Sequence, residues 1–200
     1  DTLKDPEQID LIILTHGHAD HASDAPAFAK KLGSKIAATY ELCNIMLSEG
    51  VAQDQVLYMN KGGTIEWEGL KITLTDAKHS SSYDKADGPV YAGEACGVVI
   101  RDTANSIYHA GDTCLFSDMN LIRERYSPTL ALLPIGDVFT MGPEDAALAA
   151  HFLGVKKAIP IHYGTFDALT GTAEDFSSAC SSRGIEAIIL EPGATFPLVG

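Results

Sequence analysis

Ile9 to Leu14 runs directly into Thr15-His16-Gly17-His18-Ala19-Asp20-His21. The short apolar run predicts a strand covered on both faces. The polar cluster at its carboxyl end holds four potential ligands, His16, His18, Asp20 and His21, within six residues. Buried imidazole and carboxylate need a partner. A metal ion is the simplest one that a turn can present to all four, because neutral imidazole nitrogen and carboxylate oxygen suit zinc, iron and manganese. An incidental pair of histidines in a polar loop is the competing reading, and the density of ligands after a buried strand weighs against it.

Working outward, Ala22 to Leu32 reads as a helix closed by Gly33, Lys35 to Thr39 as a strand, and Tyr40 to Glu49 as a helix closed by Gly50. Thr64 to Trp67 and Lys71 to Thr75 flank Glu68-Gly69-Leu70 like a hairpin. Ser80 to Gly93, rich in Ser, Asp, Gly and Tyr, reads as a loop, followed by strands at Cys96 to Ile100 and Ser106 to His109. Helix and strand then alternate: a helix from Leu115 to Arg125, strand Leu130 to Ile135, helix Pro143 to Leu153, strand Lys157 to Ile161, a helix capped by Thr172 and Asp175, and strand Ile185 to Leu190. Such a mixture predicts an α/β sandwich of sheets covered by helices, with residues 1–200 forming a single domain.

Three further ligand types stand where a strand becomes a loop: His79, Asp112 and His162. That rim is where sites are assembled in layered α/β folds. Singly, each is more often an ordinary surface or core residue; together they extend the constellation begun at His16. His151, on the Ala-rich helix, has no such companions and reads as packed or solvated. Cys114 lies two residues past Asp112 and reads as a small buried thiol.

Composition narrows the partners. The 14 Lys and Arg against 27 Asp and Glu give a net charge of -13, which disfavours nucleic acid. The four cysteines lie far apart with no C-x-x-C pair, so neither a disulfide framework nor a zinc ribbon is indicated, and a reducing cytoplasm is the expected compartment. No apolar run approaches the roughly 18 residues of a membrane span, so no membrane partner is expected. No G-x-x-x-x-G-K-[ST] loop occurs, which leaves ATP use without support.

The motif series His-x-His-x-Asp-His, then His, Asp and His, each at a strand end, resembles that of the metallo-β-lactamase superfamily. More closely, His16 to His21, His79-Ser80-Ser81-Ser82-Tyr83, His109-Ala110-Gly111-Asp112-Thr113, Pro134-Ile135-Gly136-Asp137, Met141-Gly142-Pro143-Glu144-Asp145 and Pro160-Ile161-His162-Tyr163 resemble the UPF0173 metal-dependent hydrolases. The resemblance implies a four-layered αββα sandwich. It implies two divalent metal ions, one held by His16, His18 and His79, the other by Asp20, His21 and His162, with Asp112 bridging. Zinc is the expected metal, and manganese, nickel and iron suit the same donors. Such proteins carry an extra pair of strands before the position of Asp1. This chain is expected to lack those N-terminal strands, leaving an open sheet edge that favours a homo-oligomer.

Two cations sharing Asp112 can hold a bridging water, lower its pKa and polarise a carbonyl or phosphoryl oxygen, which is hydrolysis without a protein nucleophile. Asp20 can orient the attacking hydroxide or accept its proton. His109 is the candidate acid for the leaving group, with a packed or supporting histidine the equal alternative. The expected function is a metal-dependent hydrolase of a small-molecule substrate: an ester, a lactone such as a sugar-phosphate lactone, or a phosphodiester. An iron-dependent oxidoreductase and a non-catalytic metal-binding domain are the alternatives. Ser80 to Tyr83 and Asp137 to Met141 are the loops expected beside the substrate.

Overall fold

A computed structural model describes residues 6–198. The first sheet is parallel, in order β1 (Leu11–Ile13), β2 (Lys35–Thr39), β3 (Val56–Met59). β4 (Thr64–Trp67) and β5 (Leu70–Asp76) form the expected hairpin across Glu68-Gly69. β6 (Ser82–Lys85) and β7 (Gly88–Tyr91) pair separately. β8 (Cys96–Arg101), β9 (Ser106–His109), β10 (Leu130–Pro134), β11 (Lys157–Ile161) and β12 (Glu186–Ala187) join the hairpin in a seven-stranded sheet of order β12-β11-β10-β9-β8-β5-β4.

Three apolar clusters make the layers. Between the sheets lie Leu11, Ile13, Ala37, Leu57 and Met59 from the first and Ile72, Leu74, Cys96 and Val98 from the second. On the outer side of the first sheet, α2 (Ala25–Leu32) and α3 (Tyr40–Ser48) bring Ala29, Leu42 and Met46 against Ile36 and Ala38. On the outer side of the second, α4 (Met119–Tyr126), α5 (Pro143–Leu153) and α6 (Ala173–Ser181) bring Met119, Ala146, Ala150 and Phe176 against Val99, Tyr108, Leu133 and Ala158. Alternating inward residues of β2 explain how one strand serves two clusters: Ala37 faces the other sheet and its neighbours Ile36 and Ala38 face the helices. The result is the expected αββα order.

Several local expectations change. The helix expected over Ala22 to Leu32 is two pieces, α1 (Ala19–Ala22) and α2. In a continuous helix the Pro26 ring would meet the Ala22 carbonyl and offer it no N–H, so the chain breaks and restarts with Pro26 in the first turn. The loop expected over Ser80 to Gly93 is the β6–β7 hairpin, because Tyr83 and Val90 face each other across it and pack on the α2–α3 side. β1 is half-buried along its length, since it is paired only to β2 among the described residues. α4 begins at Met119 rather than Leu115, and the last strand is cut to Glu186–Ala187. Cys114 is exposed, contrary to the buried thiol expected, while Cys43, Cys96 and Cys180 are buried and all four are free. Among the described residues no helix is long and apolar enough to cross a membrane.

Candidate metal centre

β5 is antiparallel to β8 and β8 to β9, so β5 runs parallel to β9, β10 and β11. His79, Asp112 and His162 therefore leave the sheet at one rim, following β5, β9 and β11. The His16–His21 turn reaches the same rim from the first sheet, because Leu14 N–H donates to the Ala37 carbonyl and Cys96 N–H to the Thr15 carbonyl, at 3.0 and 2.9 Å. Gly17 packs tightly against the β6–β7 segment. A Cβ there would sit 2.5 Å from Ala92 Cβ and 2.9 Å from the Ser82 carbonyl oxygen, which only glycine avoids. The Ser81 hydroxyl accepts from Gly17 N–H at 3.1 Å and donates to the Ala92 carbonyl at 3.3 Å, fixing the turn in place.

The other loops are tied to each other. Lys78 N–H donates to Thr113 Oγ1 at 2.9 Å, and Cys114 N–H to the Lys78 carbonyl at 3.2 Å, so the His79 and Asp112 loops move as one. His162 adopts a left-handed φ of 56°, unusual for a side chain of its size, at the turn that carries it into the cluster.

All seven expected ligands come together. His16, His18 and His79 form one group, His16, His21 and Asp112 a second, and Asp20, His21 and His162 a third, with the donor atoms of each group within 4.8 Å of one another. Asp112 Oδ2 is the hub. It lies 3.9, 3.3, 3.7 and 3.2 Å from Nε2 of His16, His21, His79 and His162, and the residue is only 4% exposed. His21 Nε2 also lies 3.2 Å from Asp20 Oδ2, yet this buried nitrogen completes a hydrogen bond with neither carboxylate. A buried imidazole nitrogen that stands beside two carboxylates without bonding to either is placed as a lone pair facing a cation would be.

Electrostatics agree with that donor set. Burial first, then His21, drives the His16 imidazole down to about 3, leaving it neutral and able to donate a lone pair. His16 Nδ1 pairs with Thr15 Oγ1 at 3.0 Å and its Nε2 with His18 Nδ1 at 3.1 Å; the tautomer that carries its proton on Nδ1 leaves the lone pair on Nε2. Burial likewise lowers His79, outweighing the opposing pull of Asp112. His21 departs upward: burial pulls it down, but Asp112 and then Asp20 raise it. Burial pushes the Asp112 carboxyl up, and the surrounding histidines, His21 first, carry it below its ordinary value. Asp112 is thus a carboxylate at neutral pH. The residues present fit divalent metal ions: five imidazoles, two carboxylates, and among them the orphaned buried nitrogen of His21.

A cavity of about 430 Å³ opens over this cluster, lined by His18, Asp20, His79, Asp112 and His162 together with Ala19, Ser80, Phe139, Phe166 and Leu169. Ser80 and Phe139 lie in loops expected to border the substrate. Ala19, Phe166 and Leu169 were not anticipated; the signal available was an aromatic residue in the polar loop just after His162.

His109 is placed elsewhere. It lines a separate cavity behind the cluster with Ile13, Val98, Ile100 and His21, and takes no part in the wall of the cavity over Asp112. Its Nδ1 accepts from Gly111 N–H at 3.0 Å, and burial, followed by His21, lowers its pKa, so it is neutral. The Gly111 N–H contact ties His109 to the turn that leads into Asp112. His151 is exposed on α5, as expected of a residue outside the site.

The sequence model of the Beta-lactamase superfamily domain matches residues 2–163, the stretch that carries every one of these ligands. The chain belongs to that superfamily. Within it, a UPF0173 metal-dependent hydrolase of Rubrobacter xylanophilus is 44% identical over 96% of this chain and 80% of the relative. Among solved structures, the metallo hydrolase Igni18 of Ignicoccus hospitalis superposes with a TM-score of 0.84 at 35% identity, covering 94% of this chain and 79% of that one. An isothiocyanate hydrolase from Delia radicum gut bacteria superposes with a TM-score of 0.74 at 23% identity, covering 95% and 77%, which shows the shared fold alone. The beta-lactamase superfamily fold accounts for the arrangement described above: two sheets back to back, with the loops at one rim converging on the ligands.

Proposed function

We propose that this chain, residues 1–200, is one metal-dependent hydrolase domain that adds water across a small ester or lactone at a two-metal centre. The observation that carries the reading is the position of Asp112 Oδ2, within 3.2 to 3.9 Å of four imidazole nitrogens. His16, His18 and His79 would hold one ion, Asp20, His21 and His162 the second, and Asp112 would belong to both. Divalent ions bound there, zinc above all, would bring the pKa of a shared water toward neutrality and polarise the carbonyl opposite.

The protein's own groups supply the rest. Asp20 is 45% exposed at its side chain and lines the cavity, so it has both the solvent access and the position to orient the attacking water. With His109 off the cavity, Asp20 is also the group that takes the water's proton and returns it to the departing alkoxide. Water and ester give acid and alcohol, and Asp20 ends as it began. Four free cysteines suit a reducing compartment, the cytoplasm.

Hydrolysis of phenyl acetate by protein purified without added metal is the direct test. Turnover abolished by a chelator and restored by zinc is expected. Retained iron with oxygen uptake and no hydrolysis would replace this reading with the oxidoreductase.

A further inference from the structure

We propose that Phe139 and Phe166 form an aromatic clamp that selects substrates carrying an uncharged aryl or alkyl group next to the scissile bond, and that phosphorylated substrates are refused. The inference rests on the hydrolase reading and narrows its substrate class.

Single exposed apolar residues need no explanation. These two differ, because they come from separate loops, are 58% and 57% exposed, and face one cavity whose floor is the ligand cluster. Leu169, itself buried, adds to the apolar lining, and its N–H donates to the Phe166 carbonyl at 2.9 Å, closing the second loop into a turn.

The first loop is held at some cost in backbone strain. Asp137 and Val138 have φ of 63° and 39°, and a β-branched residue in that region is an outlier. Asp137 N–H donates to the Met141 carbonyl at 3.0 Å, and Thr140 N–H to the Asp137 carbonyl at 2.9 Å, with Phe139 N–H on the same acceptor. Met141 N–H donates to the Thr113 carbonyl at 3.1 Å, anchoring this loop to the residue after Asp112. Thr170 Oγ1 donates to Asp137 Oδ2 at 3.3 Å, which joins the two phenylalanine loops. The strained turn thus presents Phe139 at a fixed distance from the ligands, and a pre-ordered wall costs little entropy on binding.

Charge completes the argument. Among the described residues no Lys or Arg lines the cavity. The cations nearest in sequence to His79 are engaged elsewhere: Lys78 Nζ is 2.5 Å from Asp76 Oδ2, Lys85 Nζ 3.2 Å from Glu49 Oε1, and Lys71 Nζ 3.7 Å from Glu66 Oε1. A phosphate beyond the metal centre would find no counter-charge, in a protein of net charge -13. This removes the sugar-phosphate lactone from the expected substrates.

Calorimetric binding of three hydroxamates to the zinc-loaded protein tests the clamp apart from turnover. Benzohydroxamate is expected to bind roughly tenfold or more tightly than acetohydroxamate, since its ring is buried between the phenylalanines. 4-Carboxybenzohydroxamate should lose that advantage. In Phe139→Ala/Phe166→Ala the gap between the first two should close, with the melting temperature kept because both side chains are exposed. Equal affinities in the parent, or a gap that persists in the double variant, would overturn the clamp. A gap without phenyl acetate hydrolysis keeps the clamp and sinks the hydrolase reading; hydrolysis without a gap does the reverse.

Discussion

Asp112→Ala should reduce hydrolysis by about 10³-fold or more and remove most of the bound metal, whereas His151→Ala should leave both near the parent level. The magnitude follows from what the carboxylate does. Metal ions contribute several kcal/mol of transition-state charge stabilisation, and each ~1.4 kcal/mol is a factor of about ten in rate. Asp112 Oδ2 is the one atom in contact with histidines of all three ligand groups, so its loss removes a donor and also leaves four imidazoles crowded without their counter-charge. His151 sits exposed on α5 and touches none of them. Elemental analysis and phenyl acetate kinetics on the two variants, side by side, decide the matter; equal metal in both would reverse the assignment.

Gly136→Ala is expected to act through His162. A Cβ at position 136 would lie 2.4 Å from the His162 carbonyl oxygen, 2.9 Å from Leu169 Cδ2 and 3.4 Å from His162 Nδ1. The first contact is to backbone, so the strand end must shift rather than a side chain swing away. Overpacking of this kind costs about 1–3 kcal/mol of stability, and displacing a catalytic group by about 1 Å costs roughly 10²-fold in rate. Gly142→Ala is the control, because its Cβ would meet Asp137 no closer than 3.6 Å, an ordinary contact. A thermal melt read with kcat on both variants should separate them, and parent-like kinetics in Gly136→Ala would show that His162 does not depend on this packing.

The His and Asp cluster was legible because metal chemistry demands particular residue types, and the strand-end positions of His16, His79, Asp112 and His162 can be read from apolar runs that stop abruptly. A layered α/β sandwich followed from the order of elements, and its αββα order from the resemblance to the metallo-β-lactamase superfamily. Missed features share a physical cause: they depend on contacts made across the chain. β3 at Val56–Met59 is a four-residue apolar run that becomes a strand by pairing with β2. The β6–β7 hairpin is built from loop-like residues and is held by cross-strand pairing and by Tyr83 docking on the helical side. The depth of His109 was invisible, since its distance of three residues from Asp112 says nothing about which side of His21 it faces. Phe166 could be noticed as an aromatic residue in a polar loop, but only the fold brings it opposite Phe139.

Seven His and Asp side chains, on the proposed function, form one centre for two metal ions. The measurement that tests it most directly is the metal content of the folded protein by elemental mass spectrometry after zinc loading and removal of excess. About two equivalents per chain are predicted, as for two-metal sites in general, falling to about one or fewer in Asp112→Ala. Folded protein that retains no metal, or holds the same content with and without Asp112, would contradict it.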